Sequence, residues 1–89
     1  MKGGEGITTI KGIIIPTDWD EKGKVVAAAL STHTEDEYLI DNDHKGKELL
    51  HCIQKEVEVS GVTKENQGKK TIKVKKYILQ RHGNERNFL

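Results

Sequence analysis

ITTIKGIIIP, residues Ile7 to Pro16, is the most β-prone run in the chain, and its reading decides the fold. Isoleucine and threonine branch at Cβ, and such side chains suit a pleated, half-buried surface. Gly12 interrupts the run near its middle. A glycine inside a strand weakens plain pairing, so it marks a bulge, a sharp bend or a close backbone approach. A long strand bent at its centre can pair with two neighbours and belong to two sheets at once, which is how a small barrel closes. This first strand is expected over Ile7–Ile15, with Pro16 ending its pairing because proline has no N–H to donate.

The chain continues as short strands between turn residues. PTDWDEKGK, Pro16 to Lys24, reads as a polar turn with the single tryptophan, Trp19, inside it. KVVAAALST, Lys24 to Thr32, is apolar on both parities. Alanine also suits a helix, but the run is short with β-branched flanks, which favours a strand. Its outer stripe calls for a cover, either Trp19 or another subunit; left bare it would be an association surface. HTED, residues 33–36, is a tight turn into a third strand, Glu37–Asp41, with Tyr38 and Ile40 on one face.

Asn42 and Asp43 stop that strand and can cap a helix through their side-chain oxygens. The following KGKELLHCIQK carries Leu49, Leu50 and Ile53, a spacing that makes one apolar face on a helix of two to three turns. A helix that short is marginal alone and must dock. Strand four is expected over Glu56–Val62, with Val57 and Val59 opposite Glu58 and Ser60 and a bend at Gly61. KENQGKK, Lys64 to Lys70, is a hairpin loop with Gly68 in the turn. Strand five, Thr71–Leu79, turns Ile72 and Val74 inward and Lys73 and Lys75 outward. Lys76 breaks the alternation, so a bulge near Lys75–Lys76 is expected to return Tyr77 and Leu79 to the core side. Residues 1–6 read as a flexible lead, 7–79 as one domain and 80–89 as a polar tail.

Composition sets the bounds. Eighty-nine residues make one domain, and a chain this size buries roughly 60–65% of its unfolded surface. With 34% hydrophobic and 33% charged residues, the core is thin, but the apolar residues fall in periodic runs, unlike those of a disordered chain. A net charge of +1 sets up no global field toward nucleic acid or membrane. The single cysteine, Cys52, rules out an internal disulfide. The start, MKGGEG, lacks the apolar stretch of a signal peptide, and no run approaches membrane-spanning length. The expectation is a cytoplasmic, non-membrane domain, monomeric or weakly dimeric, unless the chain is excised from a longer protein.

The order β-β-β-α-β-β, with a helix between strands three and four, resembles the OB-fold, a five-stranded Greek-key barrel. The resemblance spans about Ile7 to Leu79. It rests on the glycine-bent TTIKGIII, on GKELLHCI followed directly by KEVEVSGV, and on the closing KKTIKVKKYIL. The chain is similar to small bacterial OB domains grouped with anticodon-binding and single-strand-binding modules. The resemblance implies a ligand lying across strands two and three, between the one–two and four–five loops. It nominates Trp19, Tyr38, Lys64, Lys69 and Lys70. These motifs belong to the scaffold, and a fold does not carry a function with it.

Charge bears on the ligand. From Lys64 to Arg81 seven basic residues stand against the single acid Glu65, a net of +6, which adds Lys73 and Lys75 to the candidates. From Thr34 to Glu48 six acids stand against Lys45 and Lys47, a net of −4. Lysine patches neutralise phosphates and release counterions, and single-strand binders add aromatic platforms worth ~1–3 kcal/mol per base. Here the aromatics are only Trp19, Tyr38, Tyr77 and Phe88, and Asp18, Asp20 and Glu21 surround Trp19. Lysines on an exposed strand also guard sheet edges against aggregation, and a lone Trp often folds back over a barrel end. Two readings therefore stand: a single-stranded DNA or RNA module, and a protein-interaction or scaffold module without a nucleic-acid ligand.

Catalysis and cofactors find little support. His33, His44, His51 and His82 are scattered, and there is neither CxxC nor HExxH. Asp18, Asp20 and Glu21 lack the ligand spacing of a dedicated calcium site. Cys52, near Leu49 and Ile53, reads as a small buried hydrophobe. The expectation is a binding module that is not an enzyme and holds no cofactor or metal.

Overall fold

The computed structural model describes residues 6–80. Nearly all of the proposed lead (1–6) and tail (80–89) therefore lies outside the described residues. Strands β1 (Thr8–Trp19), β2 (Val25–Ser31), β3 (Glu37–Ile40), β4 (Glu56–Asn66) and β5 (Lys69–Leu79) form a closed barrel in the order β1-β2-β3-β5-β4. Helix α1 (His44–Glu48) and a 3₁₀ turn (Leu49–Cys52) lie between β3 and β4. This five-stranded barrel is compatible with an OB-fold-like domain.

The first strand does what its glycine suggests. Its N-terminal half pairs with β4, from Thr8–Gly61 to Ile13–Glu56. Its C-terminal half pairs with β2, from Ile13–Ser31 to Trp19–Val25. The exchange falls at Gly12 and Ile13. A Cβ on Gly12 would stand 2.5 Å from the Ser31 carbonyl oxygen, so only a bare backbone passes there. Pro16 does not end the strand. It lies opposite Ala28, and register shifts follow between Pro16 and Asp18 and between Asp18 and Trp19. Proline is tolerated where pairing is already irregular, so β1 runs on and Trp19 closes it rather than sitting in a loop.

Ile14, Leu30, Leu49, Val57, Val59 and Ile72 are fully buried, joined by Val74, Ala28 and Cys52. Burying each of these isoleucine, leucine and valine side chains contributes roughly 1.5–3 kcal/mol. Ala29 on the other face of β2 is also fully buried. Its cross-strand partners Ile15 and Leu39 flank it, so one chain suffices to bury it. Trp19, at the far end of the strand pair opposite Val25, is 51% exposed.

The segment after β3 is shorter than the expected helix. Asp43 caps it, accepting from the Gly46 N–H at 3.0 Å, and after one α-helical turn the chain tightens into the 3₁₀ turn. In that tighter winding residues three apart eclipse, so the buried pair is Leu49 and Cys52, while Leu50 and Ile53 are half-buried against the core. The Tyr77 hydroxyl ties the segment to β5 by donating to Glu48 Oε1 at 2.9 Å.

The bulge on β5 falls where the charge pattern breaks. Ser60 pairs with Lys76 and Gly61 with Val74, so Lys75 is the extra residue. Tyr77 returns to the core side, but Leu79 remains exposed near the end of the described chain. The four–five connection is much tighter than a seven-residue loop. Asn66 pairs with Lys69, leaving Gln67 and Gly68 with φ of 55° and 82°, the two left-handed residues of a type I′ hairpin turn.

Candidate functional site

Strand parity sorts the lysines of β5 into two groups. Lys70, Ile72 and Val74 share the inward parity, whereas Lys69, Thr71, Lys73 and Lys75 lie outward. Cross-strand pairing sets Lys64 beside Thr71 and Val62 beside Lys73. Lys64, Lys73 and Lys75 thus line one cleft with Asp41, Val62 and Thr71. Lys64 and Lys69 share an adjoining depression with Asn66, Gln67 and Thr71. Lys73 reaches Asp43 Oδ2 at 3.6 Å, while Lys64, Lys69 and Lys75 have no ion-pair partner among the described residues.

Lys70 is committed elsewhere. Its ammonium donates to Asp36 Oδ1 at 2.8 Å and lies 5.9 Å from the Tyr38 ring centroid. That contact, with a hydroxyl bond from Thr34, holds the Asp36 carboxyl below the usual carboxylate range, and Asp36 in turn raises the Lys70 ammonium. Tyr38 is half-buried against the core with a cation over its ring, not an open stacking platform. Trp19 lies in a separate depression with Asp20, Glu21 and Lys22. The seven sequence candidates therefore divide into a lysine face (Lys64, Lys69, Lys73, Lys75), a Tyr38–Lys70–Asp36 contact, and Trp19 apart.

The acids have local duties. Asp20 Oδ1 accepts from the backbone N–H of Lys24 at 2.9 Å and Lys22 at 2.8 Å, closing the β1–β2 turn. These bonds lower its carboxyl pKa. The Gly46 N–H does the same for Asp43. Glu48 receives the Tyr77 hydroxyl and has His44 Nε2 at 3.6 Å and Lys45 Nζ at 3.8 Å, and its bond lifts the Tyr77 phenol. Burial raises the Cys52 thiol. Among the described residues no group of three His, Cys, Asp or Glu side chains could hold a metal ion, and no helix is long and apolar enough to cross a membrane.

Asp41, Val62 and Thr71 belong to the cleft but were not singled out by sequence. Thr71 and Val62 follow from strand alternation once the β4–β5 register is known. Asp41 arrives only because β3 and β5 run parallel, Leu39 beside Thr71 and Ile40 beside Ile72, a pairing with no local sequence signal. One row crosses the outer face in register: Ile15, Ala29, Leu39, Thr71, Lys64. It is apolar on β1–β3 and becomes polar, then cationic, on β5 and β4. No family model, curated protein or solved structure matches the chain.

Proposed function

We propose that the protein is a non-catalytic OB-fold binding module of the single-strand-binding kind. Its ligand is single-stranded nucleic acid, held by its phosphates on Lys64, Lys69, Lys73 and Lys75. The observation that carries this reading is the gathering of three lysines around one cleft, with Lys69 beside it. Each ammonium that meets a phosphate releases a counterion. Half-buried Ile15 and Leu39, in register with Thr71 and Lys64, offer aliphatic surface for bases beside that cationic strip. Lys70, Tyr38 and Trp19 are not needed for the first contact.

The test is an NMR titration of labelled protein with short single strands at low and moderate salt. Shifts at Lys64, Lys69, Thr71, Lys73 and Lys75 that fade as salt rises are expected. Lys64→Ala with Lys75→Ala should remove most of the affinity and flatten the salt slope by about two. Absence of shifts at low salt would overturn the reading.

A second reading rests on a different observation. Ile13 and Ile78 are 45% and 58% exposed, on the outer face of β1–β4–β5 beside Glu56 and Glu58. A protein partner seated there would bind with little salt dependence and would be indifferent to the lysine variants.

A further inference from the structure

We infer that the lysine cleft distinguishes RNA from DNA, with Asp41 accepting a hydrogen bond from a ribose 2′-hydroxyl. This rests on the nucleic-acid reading above and deepens it. The cleft of about 160 Å³ adjoins the depression of about 400 Å³ at Lys64 and Lys69, the two sharing Lys64 and Thr71, a continuous strip that suits successive units of a longer ligand. Its lining is unusual for a pure phosphate site. Beside Lys64, Lys73, Lys75 and the Thr71 hydroxyl stands a carboxylate, Asp41. Unlike Asp20, Asp36, Asp43 and Glu48, its side chain makes no hydrogen bond or ion pair among the described residues. Its place is fixed by its backbone, whose N–H donates to the Ile72 carbonyl at 2.9 Å.

A carboxylate repels phosphate, so in a plain polyanion site it would only weaken binding. A ligand with a hydroxyl donor one sugar away from its phosphate turns that liability into recognition. Ammoniums and the Thr71 hydroxyl take the phosphate oxygens, and Asp41 takes the sugar hydroxyl. A deoxyribose offers no such donor and meets the repulsion alone. The 2′-hydroxyl is the group by which proteins tell RNA from DNA, and discrimination combines the bond made with one ligand and the clash kept for the other.

The experiment compares fluorescence anisotropy binding of an oligouridine, its oligodeoxyuridine counterpart and a 2′-O-methyl oligouridine at low salt. The three differ only at the 2′ position. The ribose strand should bind about fivefold tighter than either of the others. Asp41→Ala should erase that preference without weakening the deoxy strand. Asp41→Asn, which keeps an acceptor but removes the charge, should tighten the deoxy strand and narrow the gap. Equal binding of ribose and deoxyribose strands by the native protein overturns the inference while the nucleic-acid reading stands. So does a preference that survives Asp41→Ala, or a 2′-O-methyl strand that binds as tightly as RNA. Failure of all three strands to bind overturns both.

Discussion

Ile72 is fully buried on the inward side of β5, and Ile72→Ala should cost roughly 2–5 kcal/mol, a transfer term plus the cavity left behind. Chemical denaturation measures this directly, and an unchanged midpoint would remove Ile72 from the core. At Gly12 the danger is too much volume. An added methyl meets the Ser31 carbonyl, so Gly12→Ala should cost roughly 1–3 kcal/mol by the same measurement. Charge adds a pH limb. Asp20, Asp36 and Asp43 have lowered folded pKa values. Each thus contributes stability that is whole above its unfolded pKa, ~3.9, and is lost as pH falls through the lower folded value. Asp20→Asn with Asp43→Asn keeps oxygens for the same backbone amides, and its melting temperature should fall less steeply in acid than the parent's. Parallel curves would deny these carboxylates that role.

Among the elements, local chemistry was legible and long-range geometry was not. Gly12 announced the close backbone approach at which β1 changes partners, and the doublet Lys75–Lys76 announced the bulge because a period of two cannot hold both lysines outside. Pro16 misled, since a missing N–H ends regular pairing but not a strand that is already slipping register. The helix came out shorter because a 3₁₀ turn moves the buried positions to Leu49 and Cys52. The site was half legible: the basic run was plain, but strand alternation sends Lys70 to Tyr38 and Asp36, and Asp41 joins only through a parallel pairing. Three outcomes belong at this scale. Gly68→Ala, at φ of 82°, should cost roughly 1–2 kcal/mol in thermal melts. Deleting Lys75 should leave a less stable but folded barrel, because Val74 and Tyr77 keep their inward parity. Deleting Lys73 should flip everything beyond it and collapse the dispersed amide spectrum.

For the whole molecule the weak point is where the barrel closes. β4 and β5 pair over ten positions, whereas β3 and β5 meet at two, reinforced by the Asp41–Ile72 backbone bond and the Lys70–Asp36 and Lys73–Asp43 ion pairs. Such a join opens before the rest, and hydrogen exchange registers that opening. The Asp41 amide should therefore exchange well ahead of those in the β1–β4–β5 part of the wall. A chain lying along the row from Ile15 to Lys64 would cross this join like a suture. Its binding would then be felt as slowed breathing of the empty barrel, and whatever loosens the join would loosen the ligand with it.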